Sequence, residues 1–139
     1  MGTFGDFKPN FNMKYLTDYT DKAISEAFNK AGAFFAFGQK QFDEKKKDGV
    51  VYVNMGAGLI CPKDNADQLD KDLEAATKAG IAADLEENGR IAVIKRELYN
   101  HEAFYTGEIE DTCEALKPYG ITEAEIRIVY NQERKNYKD

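Results

Sequence analysis

Apolar side chains recur along this chain at helical spacing more often than at strand spacing. Ile24, Ala27, Phe28 and Ala31 stand at i, i+3, i+4 and i+7, one face of a helix. Thr20 is placed to cap that helix, Asp21 falls in its first turn, and Gly32 ends it as a left-handed cap. Ala33-Phe-Phe-Ala-Phe37 is apolar throughout, so its period does not separate a buried strand from the start of another buried helix. Gln39 to Lys47 reads as a polar helix that buries Phe42 and stops at the Asp48-Gly49 turn. Val50-Val-Tyr-Val53 is β-branched and aromatic, the composition of a strand. With Gly56-Ala-Gly58 and the apolar Leu59-Ile-Cys61 it predicts a β-hairpin around a loose glycine loop.

The helical period then resumes. Pro62-Lys-Asp-Asn65 introduces a helix capped by Asp64 or Asn65, with Ala66, Leu69, Leu73 and Ala76 facing inward. Gly80 is expected to interrupt it, leaving Ile81, Ala82 and Leu85 in a short helix before Asn88-Gly89. Ile91, Ile94 and Leu98 continue at helical spacing; a strand over residues 90–94 is the alternative, which Lys95-Arg-Glu97 argues against. Asn100 to Tyr105 reads as a tight connection, with the next helix starting at Thr106 or Gly107, facing Ile109, Cys113 and Leu116 inward, and stopping at Pro118-Tyr-Gly120. Thr122-Glu-Ala-Glu125 is a capping box, with Ile121 and Ile126 at its staple positions. Ile126, Val129 and Tyr130 face inward, and Glu133 opens a charged, fraying tail. The expected fold is therefore α+β and mostly helical: about six helices and a small β-hairpin in a single compact domain over residues 18–139. Residues 1–17, with Gly2, Gly5 and Pro9 among Phe4, Phe7, Phe11 and Tyr15, read as an irregular aromatic arm packed on that domain. An arm that reaches a neighbouring subunit, or an expression remnant at its first residues, are the alternatives.

Charge narrows the function classes. The 139 residues carry a net charge of −6, which argues against a protein that wraps phosphate backbone with Lys and Arg. The last two helices have the lengths of a helix-turn-helix pair, but the second begins Glu-Ala-Glu and gathers most of its basic residues at its end, so DNA reading is not expected. Cys61 and Cys113 lack the close spacing of a zinc or redox pair and read as buried thiols. The N-terminus lacks the blocks of a signal peptide, and no apolar run approaches the ~20 residues of a membrane span. A cytoplasmic protein without a membrane partner is the expectation.

The polar chemistry gathers in Leu98-Tyr-Asn-His-Glu-Ala-Phe-Tyr-Thr-Gly-Glu-Ile-Glu-Asp111, which holds the sole histidine. Tyr99, Asn100, His101, Glu102, Tyr105 and Glu108 are the candidate binding residues. Glu108, Glu110 and Asp111 also suit the first turn of a helix through its dipole. One histidine among carboxylates does not make a zinc set, and no His-x-x-x-His pair exists, so no metal and no cofactor are expected. Ser25, the sole serine, sits in a helix without a nucleophile elbow, and Cys113 lies on an apolar face, so no catalytic residue is assigned. Gly56-Ala-Gly58 without a third glycine or a Lys-Ser/Thr is a weak phosphate signal.

Three blocks carry a resemblance: Ala33-Phe-Phe-Ala-Phe-Gly-Gln-Lys-Gln-Phe-Asp43, Met55-Gly-Ala-Gly-Leu-Ile-Cys-Pro-Lys-Asp-Asn65, and Leu98 to Asp111 followed by Ala115-Leu-Lys-Pro-Tyr-Gly-Ile-Thr122. The chain resembles an uncharacterised family of small phage and mobile-element proteins, from about Asp18 to the last helix. That resemblance implies a phage-type accessory protein and assigns no residue a role. The expected function is a non-enzymatic accessory factor that binds a host protein through its acidic, aromatic turn. The alternative is a small-ligand or nucleotide-processing domain using residues 56–58 and 99–111.

Overall fold

The computed structural model describes residues 13–137, which form a mostly helical α+β fold. Among them are seven α-helices and a three-stranded antiparallel sheet. The N-terminal arm lies outside the described residues up to position 12. Contacts gather in two compact units, residues 17–80 and residues 13–16 with 81–137.

In the first unit, α1 spans Leu16–Ala31. It starts a full turn before Thr20, whose side chain is buried instead of capping. Its end follows the glycine: Gly32 takes φ +75°, Gly32 N–H donates to Asn29 O at 3.3 Å, and Ala33 N–H donates to Phe28 O at 3.0 Å. That paired closure is a Schellman motif, and it turns the chain out of helical geometry. The ambiguous apolar run therefore emerges extended, as β1 (Phe34–Phe35). After α2 (Gln39–Lys45), strands β2 (Tyr52–Asn54) and β3 (Leu59–Pro62) form the expected hairpin, with Val53 opposite Cys61. The strand begins later than its composition implies, leaving Val50 and Val51 exposed ahead of it. β3 is central, because β1 pairs with its other edge, Phe34 opposite Ile60. Cys61 is fully buried there, in a core with Ala27, Ala31 and Leu69. A 3-10 turn over Lys63–Asn65 leads into α3, Ala66–Asn88. The expected break at Gly80 does not occur. One internal helical glycine costs only about 1 kcal/mol, and the helix buries Ala76 and Ile81 on either side of it.

In the second unit, Gly89 at φ +83° separates α3 from α4, Arg90–Asn100. α4 is a helix and not a strand, and Val93, Ile94, Arg96, Glu97 and Leu98 are all buried. It packs against α5 (Ala103–Thr106), α6 (Glu110–Leu116) and α7 (Glu123–Tyr137). The helix expected from Thr106 or Gly107 starts later, because Gly107 at φ +79° donates to Ala103 O and closes α5. The capping box forms as spaced: Glu125 N–H donates to Thr122 Oγ1 at 3.2 Å, and Thr122 N–H donates to Glu125 Oε2 at 2.9 Å. Ile121 and Ile126 are buried beside it. Glu133 does not open a fraying tail. It is 2% exposed, and α7 continues past it. No helix of the described residues is long and apolar enough to cross a membrane.

Candidate functional site

The segment from α4 to α6 is shaped by two left-handed residues. Glu102 at φ +54° and Gly107 at φ +79° bracket the single turn of α5. The turn is anchored beneath by Ala103, which is fully buried, and by Phe104, stacked on Tyr130 with ring centroids 5.2 Å apart. Tyr105 then has nowhere to go but outward, and at 84% it is the most exposed large apolar side chain among the described residues. Glu108 N–H donates to Thr106 Oγ1 at 3.1 Å, fixing the chain beyond the glycine.

The six residues expected to form one surface are divided. Tyr99, Glu102 and Tyr105 line, with Phe104, a cleft of about 270 Å³. His101 and Glu108 line a smaller one of about 120 Å³ with Thr106, Glu110 and Asp111. Asn100 is exposed at the last position of α4. Tyr99 is half-buried, and its hydroxyl donates to Glu133 Oε2 at 3.0 Å, so it supports the turn more than it offers a contact. Lys95 Nζ approaches the other oxygen of Glu133 at 3.5 Å. His101 is partly buried: its backbone N–H closes α4 on Glu97 O, and its Nε2 lies 3.3 Å from Glu97 Oε1.

Glu97 belongs to a centre that sequence reasoning missed. Arg96, fully buried, donates from Nη1 to Asp84 Oδ1 at 2.9 Å, from Nη2 to Asp84 Oδ2 at 3.0 Å, and from Nε to Glu97 Oε2 at 2.7 Å. Tyr119 Oη donates to Asp84 Oδ2 at 2.5 Å and Asn88 Nδ2 to Asp84 Oδ1 at 2.7 Å. Arg96 also donates to Lys14 O at 3.0 Å and lies 5.4 Å from the centroid of the Tyr15 ring. Burial pushes the Asp84 carboxyl up, but the bonds from Arg96, Tyr119 and Asn88 outweigh it and hold the group below the usual carboxylate range. Burial raises the Tyr119 hydroxyl, and its bond to Asp84 raises it further. Burial alone would lower the Arg96 guanidinium; its bonds to Asp84 and Glu97 reverse that. Each oxygen of Asp84 has two donors, so that carboxylate is saturated, while the buried Nε2 of His101, facing Glu97 Oε1, has no hydrogen-bond partner. The signal was present as charge on an inward stripe: Asp84 follows Ile81 by three, Arg96 follows Val93 by three, and Glu133 completes Ile126, Val129, Tyr130 at i+7.

Both cysteines are free thiols; Cys61 is buried as expected, but Cys113 is only half-buried. Burial raises both thiols, with further upward pushes from Asp70 on Cys61 and from Glu123 on Cys113. In the glycine loop, Gly56 N–H donates to Asn54 Oδ1 at 2.8 Å and Gly56 O accepts from Leu59 N–H at 2.9 Å. The loop thus closes a hairpin with the amide that a phosphate would need. Among the described residues, no three His, Cys, Asp or Glu side chains are placed to hold a metal ion.

These features define a class: a mostly helical α+β protein with a buried arginine–carboxylate centre and an exposed aromatic, acidic turn. The chain belongs to a family of unknown function, DUF7659, which residues 16–136 match. No curated protein and no solved structure matches it.

Proposed function

We propose that the chain is a non-enzymatic accessory factor, encoded by a phage or mobile element, that binds a host protein through the α4–α6 turn. The observation that carries the contact is Tyr105, 84% exposed on a turn whose neighbours are anchored in the core. An ordered tyrosine offers large contact area with little side-chain entropy left to lose, which is why such residues recur among interface hot spots. Glu102 lines the cleft of Tyr105, and Glu108, Glu110 and Asp111 are exposed further along the same segment, so a basic partner surface suits it. The phage setting is supported by the resemblance of the three sequence blocks alone.

The test immobilises the full chain and compares host-lysate proteins retained by the wild type with those retained by Tyr105→Ala/Glu108→Lys. A basic protein held by the wild type, released by rising salt and lost from the variant is the expected result. Both side chains are exposed, so the variant should melt within about 2 °C of the wild type. An identical set on both surfaces removes the proposal.

A further inference from the structure

The first unit holds a groove of about 590 Å³, a volume inside the range of small-ligand sites. It is lined from the end of α1, from β1, and from the segment between α2 and β2. Its charge is opposite to that of the chain. Acidic residues outnumber basic ones 25 to 19 over the sequence, yet the lining contributes Lys30, Lys45 and Lys47 and no carboxylate. Lys45 Nζ gives one donor to Phe35 O at 2.7 Å, and Lys30 Nζ lies 3.4 Å from Asp72. An ammonium group has three donors, so both keep capacity for an anion. The Lys47 backbone N–H donates to Tyr52 Oη at 3.0 Å, which fixes where its exposed side chain departs.

Beside the lysines the wall is aromatic and ordered. Phe34 and Tyr52 line the groove and meet edge-on at 5.5 Å, and Phe42 braces both, at 6.3 Å and 5.6 Å. Asn65 closes one side of the groove and donates its Nδ2 to Ala31 O at 2.9 Å. A cluster of ammonium groups beside an aromatic wall matches a ligand that joins a phosphate to a planar ring.

We propose that this groove binds a nucleotide, with its phosphates on Lys45 and Lys47 and its base against Phe34 and Tyr52. The site shares no residue with the Tyr105 turn and stands whether or not that turn binds a protein. Amide-resolved NMR titration of the full chain tests it, using ATP, AMP, adenosine, pyrophosphate and a ten-nucleotide single strand as probes. ATP should shift amides of residues 28–34, 45–52 and 65. Adenosine and pyrophosphate alone should bind about tenfold more weakly or worse, because each loses half of the contacts. Lys47→Glu should weaken ATP about tenfold or more, since it replaces a charge-assisted contact with a repulsion, while Tyr105→Ala leaves it unchanged. The proposal is overturned by no shift with millimolar ATP; by shifts confined to other residues; by ATP binding that Lys47→Glu does not alter; or by pyrophosphate binding as tightly as ATP, which marks plain anion attraction. Binding of the single strand without AMP or ATP binding also rejects it, in favour of a nucleic-acid surface.

Discussion

Arg96 and Asp84 are each fully buried and paired, and Arg96 holds Glu97 as a second carboxylate. Such a pair stabilises little relative to apolar replacements, because desolvation offsets the attraction, but breaking it strands one charge. Arg96→Met, which strands both Asp84 and Glu97, should therefore cost about 3–5 kcal/mol, read from the urea midpoint, and Asp84→Asn, which leaves Arg96 its bond to Glu97, should cost less. A midpoint unchanged by Arg96→Met would mean that the centre is not closed in solution. A second residue-scale prediction concerns acid. The Arg90 guanidinium, 2.7 Å from Glu125, together with the amide of Thr122, holds the Glu125 carboxyl at about 2, against an ordinary 4.5. The folded value is the lower one. The stability it confers is complete above pH 4.5 and lost as pH falls toward 2. Asp84, also held low, loses its contribution in the same direction. The melting temperature should fall steeply over that range, and Glu125→Gln should flatten part of the slope. A wild-type curve that is level below pH 4.5 would contradict this.

At the scale of elements, the hairpin loop carries a recognisable strain. Ala57 sits at φ +52° between Gly56 and Gly58, both also at positive φ. An L-residue pays about 1–2 kcal/mol there, while glycine loses more entropy on folding. Ala57→Gly should come out stabilising by about 0.5–1 kcal/mol. Gly58→Ala should destabilise by about 1–2 kcal/mol, since its φ is +82° and a Cβ would also collide with the Phe37 ring. Chemical denaturation of both variants checks the pair, and a stabilised Gly58→Ala would refute the loop geometry. The elements themselves were largely legible. Residues 24–31, 91–98 and 121–130 declared helices through spacing and caps, because those signals act within one or two turns of chain. Gly80 misled, since a helix continues wherever the residues flanking its glycine are held by burial. The start of α6 misled for the opposite reason, because a single left-handed glycine closed an extra turn that has no periodicity of its own.

For the molecule as a whole, burial is concentrated in α4 and thin in α2, where no residue is buried. Native-state hydrogen exchange should find the slowest amides between Val93 and Leu98 and fast exchange throughout residues 39–45. Equal protection of the two helices would overturn that ordering. By itself the sequence determined the class of fold, most of the helices, the hairpin and the capping box, since each is specified by residues near one another in the chain. Only the tertiary structure decided that charged Asp84, Arg96, Glu97 and Glu133 are core residues, that β1 completes the sheet, and that Lys30 shares one groove with Lys45 and Lys47. Those outcomes depend on which side chain meets which across tens of residues, and a charge reads the same along a sequence whether its partner is water or a buried counterion.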